Sequence, residues 1–286
     1  MTALPLDPKN PATRRGEPSR PRGRFAGIGL PIYVALALAF LLIPIVYTFV
    51  FSFNDSGKSN LAWRGFTFEK WLTVCNEPGL CEAFGNSILV GVVATVLATA
   101  LGTAIAIALV RYRFRFRSSI SLLLFLPMAT PEVVLGAGLA AQFLALGTQK
   151  GIVTVILAHT MFCISFVVVT VKARVAGLDP ALEEAGRDLY GSPAQVFWRI
   201  TFPLLLPGIL AAALLSFALS FDDFIITNFN SGAVDTFPKF IYIAAARGIP
   251  AEANVIASAV FILAILIVVV SQVSRSARQK RLAKLT

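Results

Sequence analysis

Residues 259–270 read AVFILAILIVVV, twelve side chains in a row with no charge and no hydrogen-bonding group. The run is apolar on every side, and its flanks extend the pattern from Ala253 to Val273. A stretch of that length is a transmembrane helix, because a bilayer core takes about 20 mostly apolar residues to cross. Outward from it, five further apolar runs occupy about 25–53, 84–110, 119–146, 151–171 and 204–224. The chain is 57% hydrophobic and 14% charged, with mean hydropathy +0.77, whereas a soluble domain carries roughly 25% charged residues. The missing charge, and its crowding into short basic runs between uncharged ones, excludes a soluble α/β protein. The expected fold is all-α, a polytopic membrane protein with six transmembrane helices.

Residues 1–24 are rich in Pro and Arg and poor in apolar side chains. They cannot offset the entropy of ordering and read as a disordered tail. A cleaved signal peptide is the competing reading of the first run, but its apolar region would be about 7–15 residues long and end at small residues. Phe25 to Phe53 is far longer and ends in Phe49, Phe51 and Phe53. It reads as a retained span, so the transmembrane domain covers 25–273 and a basic tail, 274–286, closes the chain.

Orientation follows the Lys and Arg bias of the loops. With the N-terminus inside, the inside segments hold six basic residues in the first tail, four in Arg111–Arg117, four between spans four and five, and five from Arg275 onward, against six outside. Both termini are therefore expected in the cytoplasm. This bias accounts for the net charge of +10 and removes the case for a nucleic-acid partner. Three Cys and one His do not make up a structural zinc or haem site. Cys75 and Cys81 share an outside loop, where an oxidising compartment permits a bridge but does not require one.

The inside connection between spans four and five is more than a tether. Asp179-Pro180 supplies an N-cap and a first-turn proline. Glu183 and Glu184 follow in the early turns, where negative charge suits the helix dipole. The segment ALEEAGRDLY ends at Gly191, which reads as a left-handed stop. Ser192-Pro193 starts a second short helix, and Pro203 and Pro207 mark the start of span five. Residues 179–203 thus form a helix–turn–helix element, with small Ala185 and Gly186 where a partner can approach. Helix chemistry alone fits two readings: an amphipathic helix that packs on the bilayer, or one that docks a partner.

The order Glu184-Ala185-Gly186, three residues, Tyr190-Gly191, then Ile200-Thr201-Phe202-Pro203 resembles the EAA motif of ABC-importer permeases. Gly186, Tyr190 and Phe202 depart from that motif's second Ala, its Gly and its Leu, and Gly191 stands one place late. The resemblance implies a type I ABC importer permease fold and a coupling helix that docks into the ATPase. The residues it marks for that contact are Glu183, Glu184, Ala185, Gly186, Asp188, Leu189, Tyr190 and Gly191. It also implies a paired homologous permease, two copies of an ABC ATPase and an extracytoplasmic substrate-binding protein, with the chain embedded in inner-membrane lipid. ATP and Mg would be bound by the ATPase, leaving this chain without a cofactor and without a catalytic role. Gly57-Lys58-Ser59 is the one triplet like a P-loop, but Ser52 stands where the leading Gly of that loop belongs.

Asn86-Ser87, the basic run after span two, Pro131-Glu132 and Ser220-Phe221-Asp222-Asp223-Phe224 resemble the spermidine/putrescine branch, specifically the second of its paired permeases. So does Gly248 to Asn254 (GIPAEAN). The resemblance implies a polyamine cargo, and acids at membrane depth suit a cation, since they are costly and face a pathway or a partner. Glu132, Asp222 and Asp223 are the candidate pathway residues. Helical spacing puts Asp223 on one face with Ser216 and Ser220, and Asp222 with Leu215, Ala218 and Leu219, so Asp223 is expected to face the pathway and Asp222 to pack. Other readings stay open: the paired aspartates cap the end of span five or pair with a basic residue of the partner subunit, and Glu132 satisfies amides freed at Pro131. His159, on an apolar run, reads as a packed core residue. An ion-coupled secondary transporter would need inverted repeats or relay acids, and a channel would not need the folded inside element.

Overall fold

The computed structural model describes residues 26–56 and 60–282. The expected disordered tail 1–24, the Gly57-Lys58-Ser59 triplet and residues 283–286 of the basic tail lie outside the described residues. Among the described residues the chain is helical, with only an isolated bridge between Asn54 and Phe66. α1 (Ala26–Phe51) leads through a loop holding α2 (Glu69–Leu72) and a single 3-10 turn, Val74–Asn76. α3 (Leu80–Arg111), α4 (Arg117–Ala129), α5 (Glu132–Ala145) and α6 (Ile152–Ala176) follow. α7 (Ala181–Asp188) and α8 (Pro193–Val196) precede α9 (Phe202–Asp222), and α10 (Ile225–Asn230), α11 (Phe237–Arg247) and α12 (Ala251–Leu282) complete the chain.

α3, α6 and α9 form the core. α3 presents Ala94, Ala98, Gly102 and Ala106, one small residue every fourth position, to α6. Helices without a hydrophobic drive between them associate by such close packing. A Cβ at Gly102 would stand 2.6 Å from Val167 Cγ1, so any larger residue would push the two helices apart.

Interhelical contacts define two ends of the bundle. At one, Asn86 Nδ2 donates to the Asp235 carbonyl, Ser87 Oγ accepts from the Phe237 amide, and Thr154 Oγ1 donates to the Asn230 carbonyl. At the other, Arg111 pairs with Glu183, and Arg174 donates to the Leu204 carbonyl. α3 and α6 therefore run parallel, and the chain between them must recross the bundle. α4 and α5 lie between them as a bent pair, which makes up to six crossings among the described residues.

The third crossing is not the single helix expected over 119–146. α4 and α5 meet at 109°. Thr130 ends α4 in an extended conformation and Pro131 continues it, as a residue before proline is driven to do. Span five also differs. The short helix expected from Pro193 and the span expected to start at Pro203 are one apolar helix, running from Pro193 to Asp222. Pro203 has no amide and its ring crowds the carbonyl four residues back. The helix absorbs this by a wide π turn at Phe197–Thr201, in which the Phe202 amide bonds to the Phe197 carbonyl. α12 stays helical through Leu282, so it extends past the expected start of the basic tail at 274.

Cys75 and Cys81 are bridged, with Cα atoms 5.3 Å apart, just before α3. In the same loop region Lys70 pairs with Glu252 at 2.9 Å. That hydrogen bond raises the Lys70 pKa, against the opposing effect of burial. Burial, and then the nearby Glu252 charge, raises the pKa of Glu77.

Candidate functional site

The three candidate acids come together. A cleft of ≈ 460 Å³ near the Asn86–Asp235 end is lined by Glu132, Asp222 and Asp223, with Phe162, Leu219 and Phe224 among its apolar walls. Glu132 stands in the first turn of α5, at the bend after Pro131, and is exposed. Among the described residues its carboxylate accepts no amide, so it does not serve the freed backbone at that bend. Asp222, the last residue of α9, is exposed and likewise without a hydrogen-bond partner among the described residues.

Asp223 stands differently from expectation. The helix ends at Asp222, and Asp223 is extended, at φ −68° and ψ 124°. A helical wheel therefore stops applying one residue too soon. Asp223 does share the buried side with Ser216 and Ser220, but that side packs inward against α6. Its Oδ1 accepts from the Ile226 amide at 3.3 Å and its Oδ2 from the Thr227 amide at 2.9 Å, which caps α10. Its Oδ2 also lies 3.2 Å from His159 Nε2. The expected division is thus reversed: Asp223 is the packed, capping acid and Asp222 the exposed one.

His159 is buried, as expected of a core residue, but both of its nitrogens are engaged. Nδ1 lies 2.7 Å from Ser220 Oγ and Nε2 lies 2.9 Å from Thr227 Oγ1. In sequence the signal for this cluster was the polar stripe Ser216, Ser220 and Asp223, which at membrane depth demands partners.

At the other end, Asp179 Oδ1 accepts from the Ala181 amide and starts α7, as read from sequence. α7 divides its two glutamates. Glu183 turns inward, accepting from Arg111 at 2.7 Å and from Thr201 Oγ1 at 3.1 Å. Glu184 is exposed beside Ala185, and Asp188, Leu189 and Tyr190 extend the exposed face, with Leu189 84% and Tyr190 98% exposed. In sequence Arg111 read only as part of the inside basic run after span two, with no sign of its pairing with Glu183.

Gly186 is not an open approach for a partner. It is buried, and a Cβ there would meet Ile200 Cδ1 at 2.6 Å. The departure from the motif's second Ala thus makes room for the chain's own Ile200.

The left-handed stop falls on Tyr190, at φ 58°, and not on Gly191. The Tyr190 amide bonds to the Arg187 carbonyl and the Gly191 amide to that of Gly186, the paired bonds of a Schellman cap. Gly191 is needed for a different reason: a Cβ there would lie 2.7 Å from the Gly186 carbonyl oxygen. Ser192 and Gln195 then form a reciprocal capping box that starts α8.

Residues 98–284 match the family described as binding-protein-dependent transport system inner membrane component. The chain is 35% identical over 241 residues to the spermidine/putrescine transport system permease protein PotC of Escherichia coli (strain K12), covering 84% of this chain and 91% of that one. It is 32% identical over 235 residues to the putrescine transport system permease protein PotI of the same organism, covering 79% and 83%. Among solved structures, a bacterial ABC transporter that imports the acidic polysaccharide alginate superposes with TM-score 0.64 at 18% identity, over 88% of this chain and 96% of that one. The MetNI methionine ABC transporter in an inward-facing form superposes at 0.55 and 16% identity, over 74% and 99%. The chain has the type I ABC importer permease fold.

Proposed function

The chain belongs to the binding-protein-dependent transport system inner membrane components, and we propose that it forms, with a related permease, the pathway for polyamine import. The observation that carries this reading is the meeting of Glu132, Asp222 and Asp223 in one cleft of a chain that resembles spermidine/putrescine permeases. Two of those carboxylates, Glu132 and Asp222, are free to replace the lost hydration of an ammonium group, and Asp223 holds the wall behind them.

In this reading both termini face the cytoplasm, the cleft opens towards an external binding protein, and α7 meets one of two ATPase copies. Glu184, Ala185, Asp188, Leu189 and Tyr190 offer the contact face, and Glu183 ties α7 to α3 through Arg111. ATP and Mg belong to the ATPase, and this chain makes and breaks no covalent bond.

The test is labelled-spermidine uptake by the complete complex in proteoliposomes, normalised to assembled complex. A charge pair at 4 Å is worth about 4 kcal/mol at an effective dielectric of 20. Both acids are exposed, so water screens them well below that figure, and Asp222→Asn and Glu132→Gln are each expected to slow uptake by about tenfold. Unchanged uptake in both variants and in their combination would remove the cleft from the pathway.

A further inference from the structure

His159 is the one histidine of the chain, and it sits directly behind the acid cleft at 1% exposure. Its ring joins three elements. It belongs to α6, it meets Ser220 in the last turn of α9, and it meets Thr227 of α10 and Asp223 between them. The tautomer follows from the neighbours. Thr227 Oγ1 already donates to the Asp223 carbonyl, so it can only accept from the ring, and a carboxylate also accepts. The Nε2 atom therefore carries the proton, shared between Thr227 Oγ1 and Asp223 Oδ2. Ser220 Oγ lies 2.7 Å from Nδ1, the ring's other nitrogen.

α10 has six residues, too few for a helix to stand on its own hydrogen bonds. Outside contacts hold it: the Asp223 cap, the bond from Thr154 to the Asn230 carbonyl, that from Asn230 to the Gly136 carbonyl, and His159. Among these, the His159 bonds grip both sides of the break at Asp223. Asp222 on one side of that break, and Phe224 and Ile225 on the other, line the cleft. Any rotation at the break moves the cleft wall.

We propose that His159 is a positioning residue for transport, clasping the break between α9 and α10 so that the cleft's aspartates keep their places. Only the uptake part of this inference rests on the proposed polyamine reading.

The two nitrogens permit a test that a mere filler of space would not pass. Asn at 159 places its amide near Nδ1, and Gln places its amide near Nε2. A clasp on α10 is kept by His159→Gln and lost in His159→Asn.

The reporter is Ile226→Cys, fully buried in α10, in a Cys163→Ser background where Cys75 and Cys81 are bridged. Maleimide modification is followed in the purified complete complex without polyamine. His159→Asn should raise the modification rate about tenfold, and His159→Gln should stay within about threefold of the parent. Thr227→Val, which removes the ring's one side-chain partner within α10 and keeps the shape, should raise it as well and serves if the Asn variant does not assemble. Spermidine uptake per assembled complex should fall in the same order. Equal modification rates for Asn and Gln, or an unchanged rate in Thr227→Val, would overturn the proposal. Changed modification with no spermidine uptake even by the parent would leave the clasp standing and strike the polyamine reading alone.

Discussion

Two neighbouring aspartates with one chemistry have opposite surroundings, and the cause is where a helix stops. Asp222 still belongs to α9 and points to open space, whereas Asp223 follows the last helical residue and turns in to cap α10. Removing a cap of this type costs about 0.5–2 kcal/mol, and here it would also leave the His159 Nε2 proton without its carboxylate. Asp223→Ala should therefore lower the amount of assembled complex in membranes. Quantitative immunoblotting of the complex checks this, and normal abundance would contradict the capping role. The presence of acids at this place was legible in Ser220-Phe221-Asp222-Asp223-Phe224. Their division was not, because a helical wheel assigns faces only while the helix lasts.

At the scale of elements, the ends of helices were less legible than their existence. Apolar runs of adequate length located five long helices and the bent α4–α5 pair, since hydrophobic length is what a bilayer demands. Hydropathy is blind to a bend, however, and the runs before Thr130 and after Glu132 are both apolar. Pro203 misled in the other direction, reading as the start of a span where a π turn lets one helix run through. α7 shows the same limit, with its left-handed cap on Tyr190 one residue before the glycine. A left-handed conformation costs a non-glycine residue about 1–2 kcal/mol, so Tyr190→Gly should leave the fold of α7 intact or firmer. Gly191→Ala sets a methyl against the Gly186 carbonyl oxygen and should loosen the segment. Limited proteolysis of the purified complex at 187–192 reads both, with faster cleavage expected for Gly191→Ala only. Equal cleavage of the two variants would show that the cap does not hold α7.

Across the whole molecule, α3 and α6 connect the two regions of interest. α6 carries His159 behind the acid cleft and Arg174 on the Leu204 carbonyl at the far end. α3 runs from Asn86 and Ser87 beside the loop before α11 to Arg111 on Glu183. Movement of α7 thus has routes towards the cleft through α3, by Arg111 on Glu183, and through α9, by Thr201 on Glu183, and Glu184 on its exposed face is where a partner ATPase would drive it. The measurement that tests this coupling most directly is ATP-dependent accumulation of labelled spermidine in proteoliposomes holding the complete complex, native or Glu184→Arg, with ATP supplied on the α7 side. The account predicts accumulation by the native complex only with ATP and the ATPase present, and loss of both accumulation and substrate-stimulated ATP hydrolysis in Glu184→Arg at unchanged membrane insertion. Full uptake and hydrolysis in Glu184→Arg, or native uptake without the ATPase, would contradict it.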